Sequence, residues 1–385
     1  LAGVRPAGGK KAYGIRLRAL AAQTGPAKDS VKTMPWEEIM RSVSCARRRA
    51  FLALMIGCGV LASFAPAVAQ DAGMPLKGET VRIYVGFSPG GGYDAYARML
   101  APHFEKKTGA TVVVENRPGG GGLTALNQLV RAKADGTSMM MLNGEGAIMA
   151  QLVKQDGVSY DMTKVTTLAR VAHEQHLVLV RPDMPNTLKE IQDSGKKIKF
   201  SAVGHIDNLS DYAAVLCEAL KLNCQIIVGY KGSKEAGLAV MNGEVDALAI
   251  SDGSGVEYSQ GGKTKVIAAI GNARSPFKPE IATVYEQFQL PPDRKWYMDF
   301  RLSIKDYGRV MVAPPGVAPD RLKYLQQVWK DILTDPAVIA EADKSQRPLS
   351  YETPEKLNKT IKDILESLPP EKIKDINEVL QKKYS

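Results

Sequence analysis

Histidine and cysteine are scarce in this chain of 385 residues, four of each. His103, His173, His176 and His205 show no metal-like spacing to a Cys, Asp or Glu pair, and His173-x-x-His176, just before an apolar run, suits a hinge or surface better than zinc. Cys45 and Cys58 lie in the first 69 residues, so the body of the chain has too few thiols for a disulfide framework or a Cys-rich metal site. No cofactor is expected. A charge excess is also missing where it would matter. Residues 1–69 hold 11 Lys+Arg and three Asp+Glu of the chain's 51 and 41, which leaves 40 and 38 for the rest, a net of +2. The formal +10 belongs to the leader, and nucleic acid is excluded as a partner.

Long apolar runs are absent apart from residues 51–69, "FLALMIGCGVLASFAPAVA". The run is broken by Pro66 and too irregular for a stop-transfer helix, and its closing Ala67-Val68-Ala69 suits a signal peptidase. Just before it, Arg48 and Arg49 with Phe51 and Leu52 resemble a twin-arginine export signal, although Arg47 sits where Ser or Thr is usual; the plainer alternative is a basic n-region for general secretion. Cys58, preceded by Met55-Ile56-Gly57, is a poor lipoprotein cysteine. The leader is therefore residues 1–69, with a signal peptide at about 40–69. Met40 would start an ordinary signal peptide, which leaves residues 1–39 as upstream translation or an unstructured tail. The mature chain is expected to begin at Gln70 and to be periplasmic.

What is present is a repeating alternation. "TVRIYVGF" (80–87), "ATVVVEN" (110–116) and "SMMMLN" (138–143) read as strands, separated by helical patterns at 93–107 and 123–134; Pro102 should kink the first of these helices. The pattern restarts with strands at 176–182, 197–204, 225–230, 245–251 and 265–271, then a strand at 308–316 and a long amphipathic helix at 318–333. Short connections between alternating strands and helices indicate a mostly parallel, doubly wound α/β sheet, here in two lobes. The expected division is 76–177 and 306–385 for the first lobe and 178–305 for the second. Cys217 and Cys224, seven apart in "CEALKLNC", are too far apart on an unbroken helix, but can bond if the helix stops near Leu222-Asn223. An exported chain favours that disulfide over two buried thiols.

Glycine-bearing connections stand at the carboxyl ends of six strands, at 89–92, 118–122, 143–146, 204–207, 229–232 and 251–255. Ligands bind at that edge of open α/β sheets. In "FSPGGGYDAYARML" (87–100), Gly90, Gly91 and Gly92 follow a strand and open a helix, which presents free N–H groups and the positive end of a dipole. Ala95 stands where the dinucleotide fingerprint needs glycine, and no P-loop Lys-Ser/Thr follows, so a carboxylate or small phosphate fits better. The plain alternative is a turn with no ligand. Asp94 would repel an anion; it is expected instead to satisfy loop N–H groups, with Arg98 four residues on as its ion partner.

Several segments match one family in order. Pro89-Gly90-Gly91-Gly92, then Asp94, Ala97 and Arg98; Val112 through Gly122; Ala132-x-x-Asp135-Gly136; Tyr230-Lys231-Gly232; Gly243-x-Val245-Asp246; and Ala313-Pro314-Pro315-Gly316-x-x-Pro319 resemble the periplasmic solute receptors of tripartite tricarboxylate transporters, from about Leu76 to the C-terminus. The resemblance implies a type II periplasmic binding protein fold, two α/β lobes around a hinge, closing on a small organic carboxylate held by the first two glycine loops. It implies delivery to a permease with large and small membrane subunits, and no enzymatic activity; a monomer is expected. The expected ligand-binding residues are Ser88, Pro89, Gly90, Gly91, Gly92, Asp94, Asn116, Pro118, Gly119, Gly120, Asn143, Gly144, Gly204, His205, Asp207, Lys231, Gly232 and Asp252.

The chain departs from the family where relatives show Gly-x-Gly-Ser-x-x-His-Leu: here His205 replaces the Ser and Asn208 the His. "NGEG" (143–146) brings Glu145 toward the cleft. That acidity, with Asp207, argues against a tricarboxylate and for a monocarboxylate, a dicarboxylate anchored at one end, or a ligand bearing a donor or cation. Two other classes remain: a ligand-binding partner of a membrane sensor kinase, and an exported enzyme drawing on His205, Glu145 or Asp252.

Overall fold

The computed structural model describes residues 75–385. The expected signal peptide, the expected cleavage site before Gln70 and Cys58 lie outside the described residues. No described helix is long and apolar enough to cross a membrane.

Among the described residues, ten strands form two five-stranded sheets. The first contains β1 (Thr80–Val85), β2 (Thr111–Asn116), β3 (Ser138–Asn143) and β4 (Thr166–Ala172); the second contains β5 (His176–Val180), β6 (Ile198–Ser201), β7 (Cys224–Ile227), β8 (Ala247–Ser251) and β9 (Lys265–Ile270). β10 (Arg309–Ala313) returns to the first sheet. The orders are β2-β1-β3-β10-β4 and β7-β6-β8-β5-β9. In the first sheet β1 is parallel to β2 and β3, and β10 runs antiparallel between β3 and β4. The second repeats the plan, with β6 parallel to β7 and β8, and β5 antiparallel between β8 and β9. Two doubly wound lobes result, and the six glycine connections follow β1, β2, β3, β6, β7 and β8 as the alternation indicates.

Five helices position the site: α1 (Gly92–Thr108), α2 (Gly144–Leu152), α3 (Asn208–Leu220), α4 (Ser233–Met241) and α5 (Pro292–Ile304). α1 runs through Pro102 as one helix. Its apolar side, Ala97, Leu100 and Phe104, is buried, and Phe104 meets Trp329 of the Pro319–Leu333 helix at 5.0 Å between rings. Every residue of α3 is buried. Its polar side chains therefore face no water; Asn208, Ser210, Tyr212 and Glu218 find hydrogen-bond partners inside the protein, whereas Asp211 finds none.

The chain crosses between sheets at residues 173–175 and returns through α5 and residues 305–308. The final residues do not stay with the first lobe. The Tyr384 carbonyl accepts from Ile226 N–H at 2.6 Å, and Glu218 of α3 takes Tyr384 Oη at 2.7 Å and Lys383 at 2.6 Å. Residues expected with the first lobe thus cross back and cover the second. Glu218 is pulled down to about 2: burial opposes the charge, but Lys383, Tyr384 and Lys221 donate to it.

Cys217 and Cys224 are bonded, with Cα atoms 6.1 Å apart. α3 stops earlier than expected, and the left-handed residue that turns the chain is Lys221 (φ 52°).

Candidate functional site

The carboxyl-edge loops of the two sheets meet face to face. Ser88 N–H donates to the Lys231 carbonyl across the cleft at 2.8 Å, and Gly92 N–H reaches Ser233 Oγ at 3.4 Å. A Cβ on Gly121 would lie 2.5 Å from the Ile206 carbonyl oxygen, and one on Gly232 would lie 2.5 Å from Ser88 Oγ. Glycine at these positions is what allows the lobes to touch backbone to backbone.

Four helix N-termini border one void of about 20 Å³ at this junction: α1 through Gly91, Gly92 and Tyr93, α2 through Asn143, α3 through Asp207 and Asn208, and α4 through Ser233. The void has room for about one water. Two of the four helix starts carry side-chain caps. Asn143 Oδ1 accepts from Gly146 N–H, and Asp207 accepts from the N–H groups of Val203, Gly204, Leu209 and Ser210. The other two begin on Gly91 and Gly232, neither of which can cap. These two uncapped starts face each other, each carrying roughly half a positive charge. Asn143 and Tyr93 line the same void, and Asn143 Nδ2 and Tyr93 Oη are buried without a hydrogen-bond partner in the protein. Burial holds the Tyr93 phenol well above its ordinary pKa, so it stays protonated as a donor. The site therefore offers donors and positive dipole ends together, which is the chemistry of an anion site.

The loop that carries α1 is braced from below. Asp94 takes Gly90 N–H at 2.8 Å, Arg98 Nε at 2.9 Å and Asn116 Nδ2 at 2.9 Å, as the spacing to Arg98 suggests. Burial opposes its charge, but these three donors hold the carboxyl below its ordinary value. Gly90 has φ +83° and needs to be glycine for its backbone. Gly91 does not: its φ is −86°, and what excludes a side chain is Ser233 Oγ, 2.8 Å from a Cβ placed there. Behind Gly92 lies Arg309, buried, its guanidinium 4.0 Å from the Tyr93 ring centre, bonded to Glu174 and to Ser251 Oγ at 3.1 Å. With Glu174 it forms a buried ion pair whose guanidinium side faces the α1 N-terminus.

Several expected ligand residues sit elsewhere. The His205 side chain is exposed and its Nδ1 lies 3.4 Å from Ser385 Oγ. Lys231 is exposed and contributes its backbone alone to the lobe contact. Pro118 is exposed, the Gly119 position abuts Thr124, Gly120 and Gly204 meet each other across the lobes, and the Gly144 position is filled by the Tyr307 ring. Asn116 bonds the Phe87 carbonyl and Asp94, so it braces the loop. Asp252 is buried and takes Ser275 Oγ and Gly253 N–H; burial, then Glu174, pushes it up to about 6. Glu145 pairs with Arg301 and Asp207 caps α3, so the acidity read as disfavouring a tricarboxylate is spent inside the protein.

Sequence reasoning passed over Tyr93, Ser233, Arg301 and Arg309, of which Tyr93 lies inside one matched segment and Ser233 directly follows another. It also passed over Gly86-x-Ser88-x-Gly90, which has the spacing of a nucleophile elbow. The structure gives this serine no base. Its Oγ is buried without a partner, while His103 bonds Glu341, His173 bonds Ser350, His176 stacks on Tyr212 and His205 meets Ser385. Among the described residues no group of three or more His, Cys, Asp or Glu could hold a metal.

Known proteins share this fold. A UPF0065 protein of Bordetella pertussis is 25% identical over 305 residues, 78% of this chain and 87% of the relative. The periplasmic binding protein BugD superposes with a TM-score of 0.66 at 24% identity, covering 79% of this chain and 99% of BugD. MatC from Rhodopseudomonas palustris, solved with bound malate, gives a TM-score of 0.63 at 20% identity, covering 78% and 99%. These likenesses give the fold, the two-lobed type II periplasmic binding protein. The profile described as "Tripartite tricarboxylate transporter family receptor" matches residues 96–370, and the chain belongs to that family of solute-binding receptors.

Proposed function

We propose that this protein is a periplasmic receptor that closes its two lobes on a small organic carboxylate and delivers it to the large and small subunits of a tripartite tricarboxylate-type permease. The observation that carries the reading is the pair of uncapped helix starts, Gly91 and Gly232, facing each other beside the unpartnered donors Asn143 Nδ2 and Tyr93 Oη. An anionic oxygen placed there would accept from groups that now lack an acceptor, at a cost in reorganisation already met by the braced loop. The malate held by MatC supports a carboxylate as the ligand class. The void is too small to admit such a molecule between touching lobes, so capture requires them to part and close again.

Thermal unfolding tests the reading. Mono-, di- and tricarboxylates are compared with the corresponding amides, which keep shape and lose charge. At least one acid is expected to stabilise the protein, by about 2.7 kcal/mol at a hundredfold excess over its Kd, while its amide does not. Equal stabilisation by acid and amide would overturn the anion site. Loss of uptake of that acid on deleting the gene, restored by the intact protein, is expected for the transport role.

A further inference from the structure

Glu145 belongs to the first lobe, at the start of α2 just after β3. Its partners belong to the second. Arg301 of α5 approaches it at 2.8 Å between Nη1 and Oε2, and Tyr212 Oη of α3 donates to the same carboxylate at 3.3 Å. All three side chains are almost wholly buried. On the second-lobe side the pieces are fixed to one another. α5 packs on α3, Arg301 Nη2 donates to Asn208 Oδ1 at 3.2 Å, the guanidinium lies 3.9 Å from the Tyr212 ring centre, and His176 stacks on that ring at 3.8 Å. The other acid near Arg301 is Asp211, 3.9 Å from Nε, with neither carboxylate oxygen hydrogen-bonded. Burial raises both carboxyls, Asp211 well above the ordinary range and Glu145 against the pull of Arg301; Asp211 is also the farther of the two and makes no hydrogen bond, so it is the poorer counter-ion. Glu145 is thus the carboxylate that answers the buried guanidinium, and it arrives from the opposite lobe.

We infer that Glu145 is the positioning residue of closure, a latch that takes Arg301 and Tyr212 when the lobes meet and so sets how tightly the cleft closes, without touching the ligand itself. Glu145 does not border the void at the facing helix starts. Removing its charge leaves Arg301 buried with a poor counter-ion in the closed arrangement, whereas parted lobes let water reach it. The open arrangement gains relative to the closed one. The consequence for ligand affinity rests on the receptor reading above; the latch itself does not.

Hydrogen exchange on the full-length protein without added ligand reads the latch directly. The Ser88 amide is bonded to the Lys231 carbonyl of the other lobe, so its protection depends on lobe contact, while the β1 amides next to it depend on the first sheet alone. In Glu145→Gln the segment 86–92 is expected to exchange about tenfold faster or more, with β1 unchanged. In Glu145→Leu the effect should be larger, and Glu145→Leu combined with Arg301→Met, which removes both charges, should return toward wild type. An unchanged 86–92 segment in Glu145→Gln overturns the assignment whether or not Glu145→Leu folds, as does a double variant that exchanges as fast as Glu145→Leu. Because no ligand is present, a working latch in a protein that binds no carboxylate would sink the proposed function alone.

Discussion

Gly121 separates the steric needs of closure from those of the backbone. It has φ +68°, and a Cβ there would sit 2.5 Å from the Ile206 carbonyl oxygen of the opposite lobe. Ordinary contact begins near 3.4 Å, so Gly121→Ala must hold the lobes apart by about 0.9 Å at this point or distort one of the loops. Two costs follow. The left-handed backbone strains alanine by about 1–2 kcal/mol whether the lobes touch or not. The collision adds about 1–3 kcal/mol to the closed arrangement alone, by analogy with overpacked cores. Gly78 is the control, since its φ is +80° with nothing within 4 Å of a Cβ. Gly78→Ala should lower the melting temperature and leave lobe contact intact. Gly121→Ala should lower it too and also raise exchange of the Ser88 amide, weakening ligand binding by about 5- to 150-fold. Calorimetry with exchange mass spectrometry distinguishes the two. If Ser88 protection in Gly121→Ala equals that in Gly78→Ala, the account of backbone-to-backbone closure is wrong.

Other expectations follow from single groups. Asn143→Asp keeps the oxygen that caps α2 but turns the free donor into an acceptor, so carboxylate affinity should fall at least about tenfold by calorimetric titration; unchanged affinity would remove Asn143 from the site. Asp252 titrates near 6 in the folded protein against an ordinary 3.8, so the stability carried by its protonated form is present below 3.8 and declines as pH rises through 6. Asp252→Asn should therefore gain on the wild type between pH 4 and 7, by up to about 3 kcal/mol, and equal pH profiles would refute this. Glu218 has the opposite sign: lowered from 4.5 to about 2, it stabilises the C-terminal segment above pH 4.5 and loses that hold as pH falls toward 2. The Ile226 amide should then exchange early in acid, before the core strands. Cys217→Ser with Cys224→Ser should cost about 2–3 kcal/mol for so short a loop, measured by denaturant unfolding.

The parts of this fold that sequence makes legible are those written in local chemistry. Glycine and proline clusters after apolar runs marked all six connections, and Asp94 four residues before Arg98 marked the brace beneath the first loop. β4, "TTLARVA", carries neither a steady alternation nor a strong apolar run, and its place is fixed by pairing with β10, far along the chain. α5 lies in a Pro- and aromatic-rich stretch and begins on a proline, so its helical pattern is hard to separate from loop. Missing α5 hides Arg301, and without Arg301 the residue Glu145 looks like cleft acidity instead of a latch. Gly91 shows the same limit. A sequence can say that glycine is present, but a φ of −86° beside a hydroxyl from the other lobe is a tertiary reason. His205 reads as a strand-end ligand residue until the C-terminus is seen beside it.

The proposed function rests on a carboxylate held by the facing starts of α1 and α4. Its most direct test is mass spectrometry of the small molecule released on denaturing the protein after gentle purification from the periplasm, with Asn143→Asp prepared in parallel. A carboxylic acid at near-equal molar amount in the wild type, strongly reduced in Asn143→Asp, is the expected result. A neutral or cationic molecule retained equally by both would contradict it.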